Sequence, residues 1–411
     1  MNEDVLNLRS LAKAYFNIAN NEHNAQRAVL HRAINSLRMI RPVVLIDELP
    51  WSEMDFNGEL TLKCKDPILR DTELFMRREL YKFKYLRADM IVRPYAPIPK
   101  VIHSSGVGLE VDEEIRFTDA QNNIVAHNYK DQLQCENDLE KLHTPKITYD
   151  SAETERRFQL VGEAIGDIIP VKKVGIDHMT MEPWDNIAMF RSVTPLLIDL
   201  VDKPGFSHKM VRKFYDFDVA TAEQYLKLGL FENDPRLLHC TPILCDGMPS
   251  ESSVGEIVEL KSVWLKSAAQ IFGSVSKEMH KEFDIDYIMD VASRFGMVYY
   301  GCCEPLDRKI DIVDKIPNLR KISISPWADV RVAAEAIGKR FVVSAKPSPA
   351  LLAVPMLDVD WLRREITNIL DACKKNGCSL DIVIKDISTC ANRPQNLFKW
   401  EQTVMEIVQS F

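Results

Sequence analysis

The chain has 411 residues, 46% of them hydrophobic, with 52 basic against 60 acidic side chains and a formal charge of −8. That length exceeds most single cores but suits one (β/α)8 barrel of roughly 250 residues with additions. The acidic balance argues against a nucleic-acid binder, which would carry a basic face, and no apolar run approaches the ~18 residues needed to cross a membrane.

The nine cysteines are scattered and odd in number. The N-terminus, Met-Asn-Glu-Asp, lacks the basic flank and apolar core of a secretion signal. Reduced thiols in a cytoplasmic protein are therefore expected.

In chain order, residues 1–40 carry apolar side chains at three- and four-residue spacings and predict a helical extension. Val43-Val-Leu-Ile46 is a short apolar run ended by Asp47-Glu48-Leu49-Pro50-Trp51. Residues 67–86 read as an amphipathic helix, and Met90 to Ile98 as a second strand. Residues 104–150 differ: strand-like runs around Leu109 and Ile115 flank Asp119–Asn123, and Ile124-Val-Ala-His127 follows. This predicts a β-hairpin insertion within a domain spanning 41–411.

From 151 onward strands and helices alternate. Helices are expected at 151–169, 184–201, 207–229, about 258–294, 328–338, 358–376 and 394–410. Strands are expected at Lys173–Asp177, Leu237–Leu244, Val298–Tyr300, Lys321–Ile324, Phe341–Val343 and Asp381–Ile384. Regular alternation predicts a parallel sheet. The number of units favours an α/β fold closed as a (β/α)8 (TIM) barrel, with the open doubly wound sheet as the other arrangement. No Gly-x-Gly-x-x-Gly follows the first strand and no Walker loop is present, which disfavours a nucleotide cofactor.

In a barrel of this kind the active site lies at the C-terminal ends of the strands. The residues there are Asp47 and Glu48; His178, Glu182, Trp184 and Asp185; Cys245 and Asp246; Cys302, Cys303 and Glu304; Ser325 and Trp327; Lys346; and Lys385, Asp386 and Cys390. The turn Gly301-Cys-Cys-Glu-Pro-Leu306 stands out, because thiolate, carboxylate and imidazole are the groups that hold zinc. Cys302 and Cys303 read either as small buried hydrophobes or as ligands. Neighbours on a strand point to opposite faces, so both thiols reach one metal only where the backbone leaves strand geometry. Cys390 closes the last strand and is a further ligand candidate.

His178 and Glu182 are candidate acid–base groups. Asp47, Glu48, Trp51, Trp184, Asp246, Trp327 and Lys346 are candidate substrate contacts, the tryptophans read either as core packing or as walls for a flat apolar molecule. His239 with Cys240 and Cys245 forms a second cluster whose spacing matches no common zinc module. Lys385-Asp386 reads as an internal ion pair holding the last loop.

The segments Asn318-Leu-Arg-Lys-Ile-Ser-Ile-Ser-Pro-Trp327, Phe341-Val-Val-Ser-Ala-Lys346-Pro, Ile384-Lys-Asp-Ile-Ser-Thr-Cys390 and Pro394-Gln-Asn-Leu397 resemble the C-terminal half of the uroporphyrinogen decarboxylase superfamily. With Arg41-Pro-Val-Val and Gly301–Leu306 they are more similar to its methyltransferase branch, which works with corrinoid proteins in anaerobes. The decarboxylase's Arg-Gln-Ala-Gly-Arg segment is absent. The resemblance implies a zinc-dependent methyltransferase, an O-demethylase moving a methyl group from a small methylated substrate such as a methoxylated aromatic to cobalamin on a partner corrinoid protein. It also implies barrels that often form homodimers. Better-studied members hold zinc with His-x-Cys on one strand end and Cys on the last. Here Cys303 stands at the first Cys, Cys390 at the last and Gly301 at the His, leaving that place to Glu304, Cys302, His178 or a residue from another strand. A decarboxylase-like lyase and a non-catalytic subunit of a methyl-transfer complex are the alternatives.

Overall fold

The computed structural model describes residues 2–117, 125–232, 234–248, 257 and 259–411. The fold is mixed α/β, built around a seven-stranded parallel sheet. Among the described residues the strands in chain order are β1 Val43–Ile46, β2 Ala96–Pro99, β3 Val101–Ser104, β4 Glu113–Phe117, β5 Val125–Tyr129, β6 Ile147–Asp150, β7 Val171–Val174, β8 Met179–Met181, β9 Leu237–Leu238, β10 Thr241–Pro242, β11 Trp264–Ser267, β12 Met297–Tyr300, β13 Leu319–Ile324, β14 Val342–Ala345 and β15 Ser379–Ile384. The main sheet runs β1-β15-β14-β13-β12-β11-β8, so the last strand pairs in register with the first, as a closing barrel requires. Strand β2 pairs separately with β7.

The expected eight-strand ladder does not close among the described residues, and the sequence of β2 supplies a reason. In Ala96-Pro-Ile-Pro99 the amides of Ala96 and Lys100 go to Pro170 and Val174 on the β7 side. Alternate amides of a strand face opposite edges, so the other edge falls to Pro97 and Pro99. Proline has no N–H to give a ladder. The strand therefore has nothing to donate to β1, and a cavity lies between the end of β1 and β2.

One face of the sheet is apolar. Ile322, Val343, Leu380 and Ile382 pack into the main core with Ala333, Ile337, Leu362, Ile366 and Leu397 from the helices Val330–Ile337, Val359–Asn376 and Pro394–Gln409. The other face is unusually polar. Lys321 and Asp381 are both fully buried and paired at 2.7 Å. Ser344 donates to Asp381 at 2.5 Å, and Lys321 also reaches Thr241 Oγ1 and the carbonyl of Pro242. These contacts seat a tight hairpin, β9–β10, against the sheet where one strand was expected over Leu237–Leu244. It reverses at Cys240, in a left-handed conformation with φ of +58°.

The N-terminal residues do form helices, at Glu3–Ala19 and Glu22–Asn35. Leu30 and Ile34 pack on Val43, Leu45, Val383 and Cys240, and Asn35 donates to the carbonyls of Pro242 and Leu244. Buried Asp89 accepts from Arg41 and from the amide of Val44, which ties β1 to the chain leading into β2.

Two expected helices break. The run 184–201 divides into Pro183–Arg191 and Val193–Asp202 at Ser192, where φ is +62°. The single helix expected from about 258 to 294 instead contains β11, four residues all buried, followed by short helical turns and the helix Asp286–Ala292. Residue 258 itself lies outside the described residues. A short apolar run such as Val263-Trp-Leu cannot be told from a buried helix segment by periodicity. Strands β4 and β5 pair as the expected hairpin; residues 118–124, among them the expected Asp119–Asn123 and Ile124, lie outside the described residues. No helix among the described residues is long and apolar enough to cross a membrane.

Replacing Lys321 with Met should destabilise the protein by about 3–5 kcal/mol, because Asp381 is left buried without its cation. The double variant Lys321→Met/Asp381→Leu should recover a large part of that loss. Equilibrium denaturation of the three proteins checks both outcomes.

Candidate functional site

The turn after β12 begins at Gly301, with φ of +93°; a Cβ there would stand 2.5 Å from Leu306 Cδ1. The position that would carry a ligand histidine by resemblance therefore cannot hold a side chain without rebuilding the turn. Glycine takes the backbone out of strand geometry, and both following thiols face one region. Cys302 Sγ and Cys303 Sγ are 3.8 Å apart.

Around them gather groups from three other segments. Lys385, at the end of β15, places its ammonium 3.0 Å from Cys302 Sγ and 3.5 Å from Cys303 Sγ. Asp386 pairs with Lys385 at 2.9 Å and accepts from Cys303 at 3.5 Å. His239, from the tip of the β9–β10 hairpin, brings Nε2 to 3.9 Å from Cys302 Sγ. Its Nδ1 lies 3.1 Å from Glu48 Oε1, beyond the end of β1. The ligand atoms of Glu48, His239 and Cys240 all fall within 4.8 Å of one another. Glu48, Cys240 and Asp386 all have positive φ, near +51°, +58° and +53°. Non-glycine residues held in this region cost free energy and cluster at functional sites.

The electrostatics separate the two thiols. The hydrogen bond from Cys303, then His239 and the Lys385 ammonium, lower the pKa of Cys302 against the cost of burial. The same bond and burial raise that of Cys303. The Lys385 ammonium, 3.0 Å from Cys302 Sγ, is the contact that favours a thiolate there. Burial and a shared hydrogen bond with Asp386 raise Glu48.

Of the expected ligands, Glu304 and Cys390 point elsewhere. Glu304 is buried and accepts from the amides of Cys302 at 3.0 Å and Ala269 at 3.4 Å, so it shapes the turn from within. Burial lifts its pKa to about 8. Cys390 donates to Glu53 at 3.2 Å, and Glu53 also accepts from the amides of Cys390 and Asn392. Burial and Glu53 push the Cys390 thiol up to about 12.

The acid–base candidates flank β8, His178 just before it and Glu182 just after it. Burial and the charges of Lys266 and His239 lower His178 to about 4, which leaves its imidazole neutral near pH 7. Glu182 pairs with Lys266 at 2.8 Å. Asp185 accepts from the amide of Gln270, and burial lifts it to about 7.

The substrate candidates divide. Asp47, Glu48 and Trp51 line the cavity beside β2. Lys346 is buried and donates to the Cys240 carbonyl and to Ser344, so it supports the hairpin carrying His239. Trp184 is fully buried, with Nε1 donating to Phe283 O and its ring against Phe272. Trp327 is 77% exposed. Asp246 is exposed and paired with Arg32 and Arg38. Sequence reasoning set His239 aside because its neighbours fit no linear metal motif; its role is visible only once the hairpin is folded against the sheet. Lys385-Asp386 is the ion pair expected, with the thiolate as an additional partner.

No family model matches this sequence, and no curated protein matches it. Among solved structures, a methyltransferase from Methanosarcina mazei superposes with a TM-score of 0.47 at 12% identity, over 92% of this chain and 97% of that one.

Glu304 and Asp185 hold protons in the folded protein that the unfolded chain releases at ordinary carboxylate pKa values. Their contribution to stability is therefore complete at low pH and lost as pH rises through about 5 to 8. Denaturation of chelator-treated protein should show declining stability over that window, and Glu304→Gln, which keeps the accepting oxygen, should flatten the decline.

Proposed function

We propose that this chain is a zinc-dependent methyltransferase that moves a methyl group from a small methylated substrate, such as a methoxylated aromatic, to cobalamin carried by a partner corrinoid protein. The observation that carries the reading is the convergence of two cysteines and an imidazole: Cys302 and Cys303 at the C-terminal end of β12, and His239 at the tip of the β9–β10 hairpin. We read the fold as a (β/α)8 barrel, with residues 1–40 as an extension and 104–150 as an insertion.

Two separations in the donor set suit zinc, whereas the ligand atoms that all lie within 4.8 Å of one another among the described residues are those of Glu48, His239 and Cys240, so Cys303 and His239 must draw together to share an ion. Two sulfur ligands each about 2.3 Å from a tetrahedral ion stand about 3.8 Å apart, and the two sulfurs here are 3.8 Å apart. The His239 Nε2 to Cys302 distance, 3.9 Å, is close to the corresponding nitrogen–sulfur separation. Glu48 on the other ring nitrogen is the partner that ligating histidines commonly have. In this reading Cys302, Cys303 and His239 hold the metal and Glu48 orients His239, so Glu304 and Cys390 leave the ligand set and His239 enters it. Bound zinc would supply a Lewis acid to draw charge from the oxygen or nitrogen that leaves the methyl group.

The chain's own residues supply the rest. Lys385 balances the thiolate charge while Asp386 fixes its ammonium. His178, neutral and with Nδ1 lacking a hydrogen-bond partner among the described residues, is the proposed hydrogen-bond donor to the leaving group. Glu182 is held by Lys266, which suits positioning better than proton donation. The contact between Lys385 and Cys302 also favours a second reading, in which an ammonium-stabilised thiolate takes the methyl carbon as its bond to the leaving oxygen breaks and then yields the methyl group to the partner's cob(I)alamin, so that no metal is needed.

Protein purified anaerobically should carry about one zinc per chain. Cys302→Ala and His239→Ala should each lose most of it, Glu48→Gln should weaken retention by about 10- to 100-fold, and Cys390→Ala should keep it. Metal analysis, with methyl transfer to added cob(I)alamin as the activity readout, checks the set. Full zinc in the His239 variant would overturn the ligand assignment, and activity without zinc would favour the thiolate reading.

A further inference from the structure

Cys302 and Cys303 are neighbours in sequence whose sulfurs lie 3.8 Å apart, in contact. Successive side chains on a strand would point to opposite faces; Gly301, with φ of +93°, takes the backbone out of that geometry. The backbone of Cys302 is then held on both sides. Ser323 donates to its carbonyl at 2.9 Å, and Glu304 accepts from its amide at 3.0 Å. Lys385 places its ammonium 3.0 Å from Cys302 Sγ and 3.5 Å from Cys303 Sγ. Cys302 is buried, whereas Cys303 is half-buried beside Asp386, whose side chain is 51% exposed. The pair is therefore reached from solvent on the Cys303 side.

Reactive thiols are those held as thiolates in electropositive, partly exposed surroundings. The other cysteines lack one property or the other. All of them except Cys135 are buried. Cys135 is exposed, but its sulfur faces the carboxylate of Asp138 at 3.4 Å. Cys373 and Cys378 share a hydrogen bond, and both are buried. The turn after β12 thus combines a lysine ammonium, a second sulfur in contact and a way in for a small solute.

We propose that Cys302 and Cys303 are a redox modification site, closed into a reversible disulfide by hydrogen peroxide. The Cys302 thiolate attacks one peroxide oxygen: an S–O bond forms, the O–O bond breaks, and the departing hydroxide takes the Cys303 proton as water. Cys303, now a thiolate, attacks the Cys302 sulfur: the S–S bond forms, the S–O bond breaks, and the second oxygen leaves as hydroxide, which solvent protonates. Two electrons pass from the sulfur pair to the peroxide. Cα atoms joined by a trans peptide stand about 3.8 Å apart, short of the about 4.4 Å at which ordinary disulfides begin. The bridge is therefore strained and easily reduced, which places it among labile rather than structural disulfides. While it lasts, neither sulfur is a thiolate, so neither can hold a metal or take a methyl group. The proposal goes beyond the zinc reading and does not need it.

The test exposes the full chain, purified anaerobically, to an equimolar amount of hydrogen peroxide and maps its thiols by alkylation and peptide mass spectrometry. Both thiols of the Cys302–Cys303 peptide should be lost together, with a mass lower by two hydrogens and no added oxygen, and dithiothreitol should restore them. Lys385→Met should slow the loss about tenfold or more, and Lys385→Arg, which keeps the cation, should recover most of the rate. Cys135→Ser should oxidise like the wild type. Cys303→Ser, lacking the resolving sulfur, should instead gain oxygen on Cys302 that dithiothreitol does not remove once the sulfinic acid has formed. Zinc measured alongside keeps the two readings apart: a disulfide formed by a chain that never held zinc would remove the metal and leave this proposal standing. Thiol loss at Cys373 and Cys378 instead, a bond from either sulfur to Lys385, added oxygen at Cys302 or Cys303 in the wild type, full retention of both thiols, or a Lys385→Met variant oxidised at the wild-type rate would each overturn it.

Discussion

The buried ion pair between Lys321 and Asp381 is the interaction on which the site depends. It sits on the polar face of the sheet, where the chain inserts the β9–β10 hairpin. Through Thr241 and the Pro242 carbonyl, the pair fixes one side of that hairpin. Lys346 fixes the other through the Cys240 carbonyl, and Asn35 holds its exit from below. A buried ion pair is weak evidence for stability, since two charges must be desolvated. Here it has a clear geometric result: His239 reaches Cys302. Burial lowers Lys321 to about 8 while Asp381 resists the fall, so the lysine remains mostly charged near neutrality and the bridge persists.

The second constraint is the absence of a donor edge on β2. A closed ladder would have filled the space between β1 and β2 with backbone. Two prolines prevent it, and side chains of the helix Pro67–Tyr85 line the opening instead. The same residues thus account for the break between β1 and β2 among the described residues and for the large apolar cavity next to Glu48. Fold and pocket have one cause, and it is local.

Support beneath the thiol turn is polar as well. Tyr300, the last residue of β12, donates to Asp284 at 2.5 Å and lies 2.7 Å from His280 Nε2; Lys309 lies 3.2 Å from His280 Nδ1. All four are buried. Together with Glu304 on the Cys302 amide they pin the turn in the conformation that Gly301 permits. Partners of this kind hold reacting groups to the tolerance that chemistry requires.

Several features were legible in the residues alone. Runs of Val, Ile and Leu marked β1 and the Ile382–Ile384 part of β15, since buried parallel strands are rich in them, while β12 was marked by Val298-Tyr-Tyr and β13 by the alternation Lys321-Ile-Ser-Ile. Three- and four-residue spacing marked the helices at 67–85, 151–165, 359–376 and 394–409, where one face meets the core. The Gly-Cys-Cys-Glu turn was visible because glycine, two thiols and a carboxylate seldom gather without a reason, and the Lys385–Asp386 pair was visible as adjacent opposite charges. What the tertiary structure alone decided is which groups meet. His239 is 63 residues from Cys302 along the chain, and Cys390, placed by pattern at the last strand, turns to Glu53 instead. Sequence periodicity reports which face a side chain takes, since that depends on the residue's own backbone. It does not report how far one strand end lies from another, since that depends on every contact in between.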